Sequence, residues 1–143
     1  MRYLGLDLGT KSLGVSVSDF SNTFAMPYQT LHFPENEYES VIDALEKIVK
    51  EKKITDFVLG LPKNMDNSCG FAAQRSQDFA KLLKQKFCLP VHFVDERLTT
   101  KEAERILLQA DKSRKKRKKV IDNVASSLIL ETFLKERIEH ERK

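Results

Sequence analysis

The chain begins with a short apolar run that contains one carboxylate and is closed by a polar turn. The run, Tyr3 to Leu8, is rich in strand-forming residues, and Gly9 follows it directly, which predicts a buried strand ending in a tight turn. An unpaired buried carboxylate is costly, so Asp7 must meet a cation, accept several hydrogen bonds or lie at an open strand end. The run by itself supports two interpretations of Asp7 equally. Asp7 is a metal ligand, or it accepts hydrogen bonds from the backbone amides of residues 9–12.

The order of the predicted elements indicates a mixed β-sheet flanked by helices. Strand-like runs occupy residues 2–8, 13–19, 25–33, 54–60 and 91–94. Helical patterns occupy residues 37–53, 71–87, 99–110 and 120–140. The first three runs are joined by short turns and predict an antiparallel meander, whereas strands separated by helices predict parallel crossovers.

Proline fixes the arrangement of the strands. Pro27 lacks an amide donor and is best tolerated on an edge strand, which leaves the first strand in the middle of the sheet. We therefore predict an α/β fold with a five-stranded sheet of order 3-2-1-4-5, formed by a single domain over residues 1–143.

Three acids are expected at one edge of this sheet. Sites in open α/β sheets form at the carboxyl ends of parallel strands, where the connection direction changes. That point lies beside Asp7, and Glu96 and Asp122 are predicted to converge on it. Carboxylates gathered without histidine or cysteine suit Mg²⁺ or Mn²⁺, and a pair of such ions supports phosphodiester hydrolysis.

Each acid also has a simpler interpretation. Asp122 could cap the last helix, and Glu96 could pair with Arg97 while Asp95 takes the ligand position. The three histidines are scattered along the chain, and we expect them to pack or to lie at the surface.

Positive charge is concentrated in one segment. Residues 112–119 contain seven of the 25 basic residues and no acid, so the rest of the chain carries a slight excess of acids over bases. A local basic patch predicts contact with a polyanion at a defined place, although a solvated loop would have the same composition. No run is long and apolar enough to cross a membrane and no signal peptide is evident, so we expect a cytoplasmic location.

Four motifs in the same order resemble those of the bacterial YqgF family. They lie at residues 5–12, 60–68, 95–100 and 121–130. The resemblance implies an RNase H-like fold with Asp7, Glu96 and Asp122 as catalytic and metal-binding residues. The nucleic acid would be contacted from the loop after the fourth strand and the basic segment, by Lys63, Asn64, Arg97, Arg114, Lys115, Lys116, Arg117 and Lys118. In the first turn, Lys11 and Ser12 could bind phosphate through a side chain and a backbone amide, and an exposed hairpin tip explains them equally well.

The resemblance implies two substrates for a metal-dependent nuclease. The first is the 5′ end of precursor 16S ribosomal RNA, processed during ribosome biogenesis, and the alternative is a Holliday junction in DNA recombination. No residue pattern separates the two polymers, because RNA recognition by shape or 2′-hydroxyls leaves no short motif. We expect a monomer or a weak dimer. A non-catalytic RNA-binding module that uses the basic segment is a third, lower-ranked hypothesis.

Overall fold

A mixed sheet of five strands in the order β3-β2-β1-β4-β5 forms the centre of the fold. The computed structural model describes residues 1–19, 21–22, 24–35, 37–62, 70–95 and 125–137. Its strands are β1 (Tyr3–Leu8), β2 (Ser12–Ser18), β3 (Ala25–His32), β4 (Asp56–Leu61) and β5 (Val91–Asp95). Its helices are α1 (Tyr38–Lys52), α2 (Phe71–Phe87) and a helix over residues 125–137, here called α3.

The strand order and directions confirm the predicted sheet. β1 pairs antiparallel with β2, and β2 with β3, while β1 and β4 and then β4 and β5 are parallel. Pro27 lies on the edge strand β3, as expected, and the register of β2 with β3 shifts between Val15 and Ser16, next to the pairing of Ser16 with Pro27. The residue without an amide donor and the shift in strand register therefore lie next to each other at the sheet edge.

Helices α1 and α2 cover one face of the sheet. Their amphipathic stripes, represented by Leu45 and Phe79, pack on Leu4, Leu6 and Val15, all of which are fully buried. Complete burial of one such leucine contributes about 1.5–3 kcal/mol relative to exposure. Because side chains alternate along a strand, the residues between these leucines belong to the other face.

Helix α3 covers that other face. Leu130 and Leu134 of α3 pack with Tyr3, Val58 and Val94 in a separate buried cluster. The predicted last helix thus coincides with α3 over residues 125–137, whereas the helix predicted at residues 99–110 lies outside the described residues. Within the part of the chain that the structure describes, no helix is long and apolar enough to span a bilayer.

Candidate active site

Asp7 lies near the carboxyl end of the central strand, on the sheet face that α3 covers. It is half-buried and is followed by Leu8, the last residue of β1. Alternation along β1 places it on the side of Gly5, which touches α3, and opposite Leu6, which lies in the core under α1 and α2. The local sequence therefore sends one acid to the α3 face while its neighbours stay in the apolar core.

Glycine occupies the positions beside Asp7 in both neighbouring strands. Asp7 is in register with Gly14 of β2. On the other side, Leu6 is in register with Leu59 of β4, so the next step of the parallel ladder brings Gly60 beside Asp7. Gly14, Asp7 and Gly60 thus form one row across β2, β1 and β4, and neither neighbour of Asp7 in this row has a side chain. The row is therefore suited to a cation or a phosphate approaching Asp7.

The carboxyl ends of the parallel strands lie together at one border of the sheet, which we call the carboxyl edge. β1, β4 and β5 end there at Leu8, Leu61 and Asp95. The last pair of the β4–β5 ladder is Leu61 with Asp95, so these strands end level with each other. In open α/β sheets this is the edge at which binding sites form.

Asp95 does not share a face with Asp7. In β5, Val94 packs in the cluster under α3, whereas Val91 packs against the core under α1 and α2. Asp95, next to Val94, therefore points to the face opposite Asp7. The sequence allowed either Asp95 or Glu96 to be the metal ligand from the fifth strand. This geometry disfavours Asp95. Glu96 lies outside the described residues.

The turn between β1 and β2 brings Lys11 and Ser12 to the carboxyl edge. The amide of Gly9 donates to the carbonyl oxygen of Ser12 at 2.8 Å, and the amide of Phe33 donates to that of Lys11 at 2.9 Å. The Gly9 amide is thus bonded within the hairpin, which removes one of the donors that the hydrogen-bonding interpretation of Asp7 required. Lys11 is exposed and Ser12 is half-buried.

Helix α3 approaches β1 at Gly5, two residues before Asp7. A Cβ atom built on Gly5 would lie 2.8 Å from the Cβ of Leu130 and 3.0 Å from the carbonyl oxygen of Ser126. The Ser16 hydroxyl donates to that same carbonyl oxygen at 2.9 Å, in a buried position. A glycine and a serine on neighbouring strands therefore let the first described turns of α3 lie close to the sheet beside Asp7. Sequence reasoning did not identify this contact.

The remaining predicted site residues lie outside the described residues. They are Glu96, Asp122, Lys63, Asn64, Arg97, Arg114, Lys115, Lys116, Arg117 and Lys118. Among the residues that are described, no group of at least three histidine, cysteine, aspartate or glutamate side chains is arranged to hold a metal ion. Asp7 itself supplies the hard oxygen donor that Mg²⁺ and Mn²⁺ prefer, so its chemistry fits such an ion.

A polar pair that sequence reasoning missed lies at the opposite end of the sheet. The Nε2 atom of His92 is 2.9 Å from Oδ2 of Asp56, and the His92 ring packs near Tyr3 and Phe133. These residues line a cavity of about 490 Å³ that also touches Arg137. The sequence separation of 36 between the two partners hides the pair from any local pattern. His92 packs as expected, level with Gly5 in the sheet.

The sheet order and the acid on its central strand place the chain in the RNase H-like class of folds. Two solved structures show the same fold. Thermus thermophilus RuvC in complex with a Holliday junction substrate has a TM-score of 0.63 and 12% identity, covering 97% of this chain and 96% of that one. The fowlpox virus resolvase in complex with Holliday junction DNA has a TM-score of 0.56 and 15% identity, covering 95% and 98%.

The sequence comparisons identify the family. A family model described as RuvX, Holliday junction resolvase, matches residues 1–136, and the chain belongs to this family, which is the YqgF family of the sequence motifs. A protein of Leuconostoc mesenteroides named "Putative pre-16S rRNA nuclease" is 53% identical over 135 residues, covering 94% of each chain. A protein of Ligilactobacillus salivarius with the same name is 49% identical over 134 residues, covering 93% of this chain and 91% of its own length.

Proposed function

We propose that this protein is a metal-dependent endonuclease that acts on structured nucleic acid, most specifically on the 5′ end of precursor 16S ribosomal RNA. The observation that carries the proposal is the position of Asp7: a half-buried carboxylate at the carboxyl end of the central strand, with glycine on both sides in its row. The names of the close relatives support the RNA substrate. We further propose that the enzyme acts in the cytoplasm as one domain over residues 1–143, either as a monomer or as a weak dimer.

The proposed metal site combines Asp7 with Glu96 and Asp122. Glu96 follows Asp95, the last residue of β5, and Asp122 lies three residues before the described part of α3. Both are therefore close in sequence to elements that reach the carboxyl edge or the Asp7 face. Three carboxylates without a cation would repel one another, and bound Mg²⁺ or Mn²⁺, proposed as a pair, would activate water and stabilise the leaving oxygen of a phosphodiester.

Residues of the hairpin complete the proposed mechanism on the protein side. Lys11, exposed at the turn, provides a cation for a phosphate oxygen, and Ser12 provides a hydroxyl donor at the same edge. The glycines beside Asp7 allow a phosphate to approach the carboxylate without displacing a side chain. Lys63, Asn64, Arg97 and the basic segment are proposed to hold the flanking nucleic acid.

Resolution of Holliday junctions is the alternative function. The family description and the titles of the RuvC and fowlpox virus structures refer to this substrate. The same carboxylate chemistry cleaves either polymer, so substrate choice has to be measured. The purified protein should be offered precursor 16S ribosomal RNA and a synthetic four-way DNA junction in parallel, with Mg²⁺, with Mn²⁺ and with a chelator. Metal-dependent cleavage of the RNA alone supports our proposal; cleavage of the junction alone supports the alternative.

Neutralising the basic segment should weaken binding and flatten its salt dependence. We expect Lys115→Gln, Lys116→Gln, Arg117→Gln and Lys118→Gln together to reduce the slope of log K against log salt by up to about 3.6, because each lost phosphate contact removes about 0.7–0.9 from that slope. The measurement is a binding titration at several salt concentrations.

A matched variant controls for overall charge. Lys47, Lys50, Lys81 and Lys84 lie exposed on α1 and α2, away from the Asp7 face, and their replacement by Gln makes the same change in net charge. We expect this variant to keep most of the wild-type slope. Equal slopes for the two variants would show that the basic segment contributes only general charge.

A further inference from the structure

The edge strand β3 brings another polar side chain to the border at which Asp7 lies. β2 is antiparallel to both β1 and β3, so β1 and β3 run in the same direction and end at the same edge. His32 is the last residue of β3, is exposed, and is in register with Ser12. The sequence predicted only that this histidine packs or lies at the surface.

Strand alternation puts these side chains on the Asp7 face. Leu13 of β2 and Leu31 of β3 pack on the core under α1 and α2, so their neighbours Ser12 and His32 point the other way. Asp7, Ser12 and His32 thus share one face at this edge of three neighbouring strands. We call this border, together with the exposed turn residue Lys11, the β1–β3 rim. Adjacent strands lie about 4.8 Å apart, so the rim extends roughly 10 Å from Asp7 to β3.

We propose that one strand of the nucleic-acid substrate leaves the scissile position along the β1–β3 rim, with His32 contacting a phosphate next to the one that is cleaved. The inference rests on the proposed nuclease function and adds to it a direction for the bound strand. An ammonium, a hydroxyl and an imidazole follow Asp7 along the rim, and all three can donate to phosphate oxygens. Among the described residues, the strand positions on this face between Asp7 and His32 are Gly14, Ser12 and Thr30, all of them small, so a sugar-phosphate backbone can lie across them.

The first test measures cleavage kinetics of His32→Ala and Gln29→Ala. Gln29 lies on the same strand, is exposed, and pairs with Val15, so alternation puts it on the opposite face from His32. We expect His32→Ala to raise KM roughly tenfold with kcat unchanged, the effect of losing one hydrogen bond to a charged group, and His32→Arg to restore or improve binding. Gln29→Ala should behave like wild type. Since both positions are exposed, neither change should disturb folding.

A second test locates the phosphate. Substrates in which single phosphates near the cleavage position are replaced by neutral methylphosphonates are bound to wild type and to His32→Ala, each in a cleavage-deficient Asp7→Asn background. We expect one replacement, at a phosphate next to the cleaved one, to weaken binding to the protein that keeps His32 and to have little further effect in His32→Ala.

Different results would overturn the two proposals. Suppose that the wild-type protein cleaves. If His32→Ala is then indistinguishable from Gln29→Ala, or if the loss of binding from His32→Ala adds to that from every methylphosphonate, the rim path is wrong while the nuclease function stands. If the wild-type protein cleaves neither substrate with any metal, the nuclease function and the rim path are both wrong.

Discussion

Asp7→Asn should abolish metal-dependent cleavage while leaving the fold and most of the nucleic-acid affinity intact. The substitution keeps the shape of the side chain but removes the charge that holds the cation, so we expect kcat to fall by at least about a thousandfold. Asp7 is half-buried at a strand end, and replacing it with a neutral amide should not lower the midpoint of thermal unfolding. The measurements are single-turnover cleavage with Mg²⁺ or Mn²⁺, a binding titration and a melting curve.

Two neighbouring acids provide the matched control. Asp95 points away from the Asp7 face, so Asp95→Asn should cleave nearly as well as wild type. Glu96→Gln, one residue further, should be as inactive as Asp7→Asn. Undiminished cleavage by pure Asp7→Asn would remove this residue from the catalytic site, and an inactive Asp95→Asn beside an active Glu96→Gln would reverse the choice of ligand on the fifth strand.

The sheet could be predicted because its determinants are local. Alternating apolar residues defined the strands, short turns joined the first three, and Pro27 assigned the edge. These signals act within a few residues of one another, and topology rules then leave few arrangements of the remaining strands. The position of Asp7 at the carboxyl edge followed from the same reasoning.

The choice between Asp95 and Glu96 could not be made from the sequence. Adjacent residues in a strand point to opposite faces, so the assignment depends on which residues pack against which helices. The sequence pattern predicted a strand ending at Val94, whereas β5 extends to Asp95. The packing of Val91 on one core and of Val94 on the other determines which face each β5 side chain occupies. That information comes from tertiary contacts.

The importance of Gly5 was hidden for a related reason. A glycine inside a strand pattern indicates a bulge or a close backbone approach, but not which element approaches. Here the approaching element is α3, more than a hundred residues later in the chain: the hydrogen bond from Ser16 to Ser126 spans 110 residues. The pairing of His92 with Asp56 is likewise non-local.

Gly5→Ala should destabilise the protein by displacing α3 from the sheet. The added Cβ would lie 2.3 Å from Oγ of Ser16, which can rotate away, but also 2.8 Å from the Cβ of Leu130, which moves only with its helix. Overpacking of this kind costs about 1–3 kcal/mol. In a domain of this size each kcal/mol lowers the melting temperature by about 2–4 °C, so a melting curve followed by circular dichroism measures the effect.

Two further variants assign the destabilisation to α3. Gly9→Ala makes the same substitution where, among the described residues, the new Cβ would meet only Ser12, at 3.4 Å or more, so its melting temperature should stay close to wild type. In the double variant Gly5→Ala, Ser16→Ala, the new Cβ no longer meets the serine hydroxyl but still meets Leu130. We expect the double variant to be less stable than Ser16→Ala alone. Equal stability of these last two proteins would attribute the cost to the serine. Asp122 lies three residues before the described part of α3, so we expect a shifted helix to reduce cleavage by the folded Gly5→Ala protein as well. This would connect the packing at Gly5 to the proposed metal site.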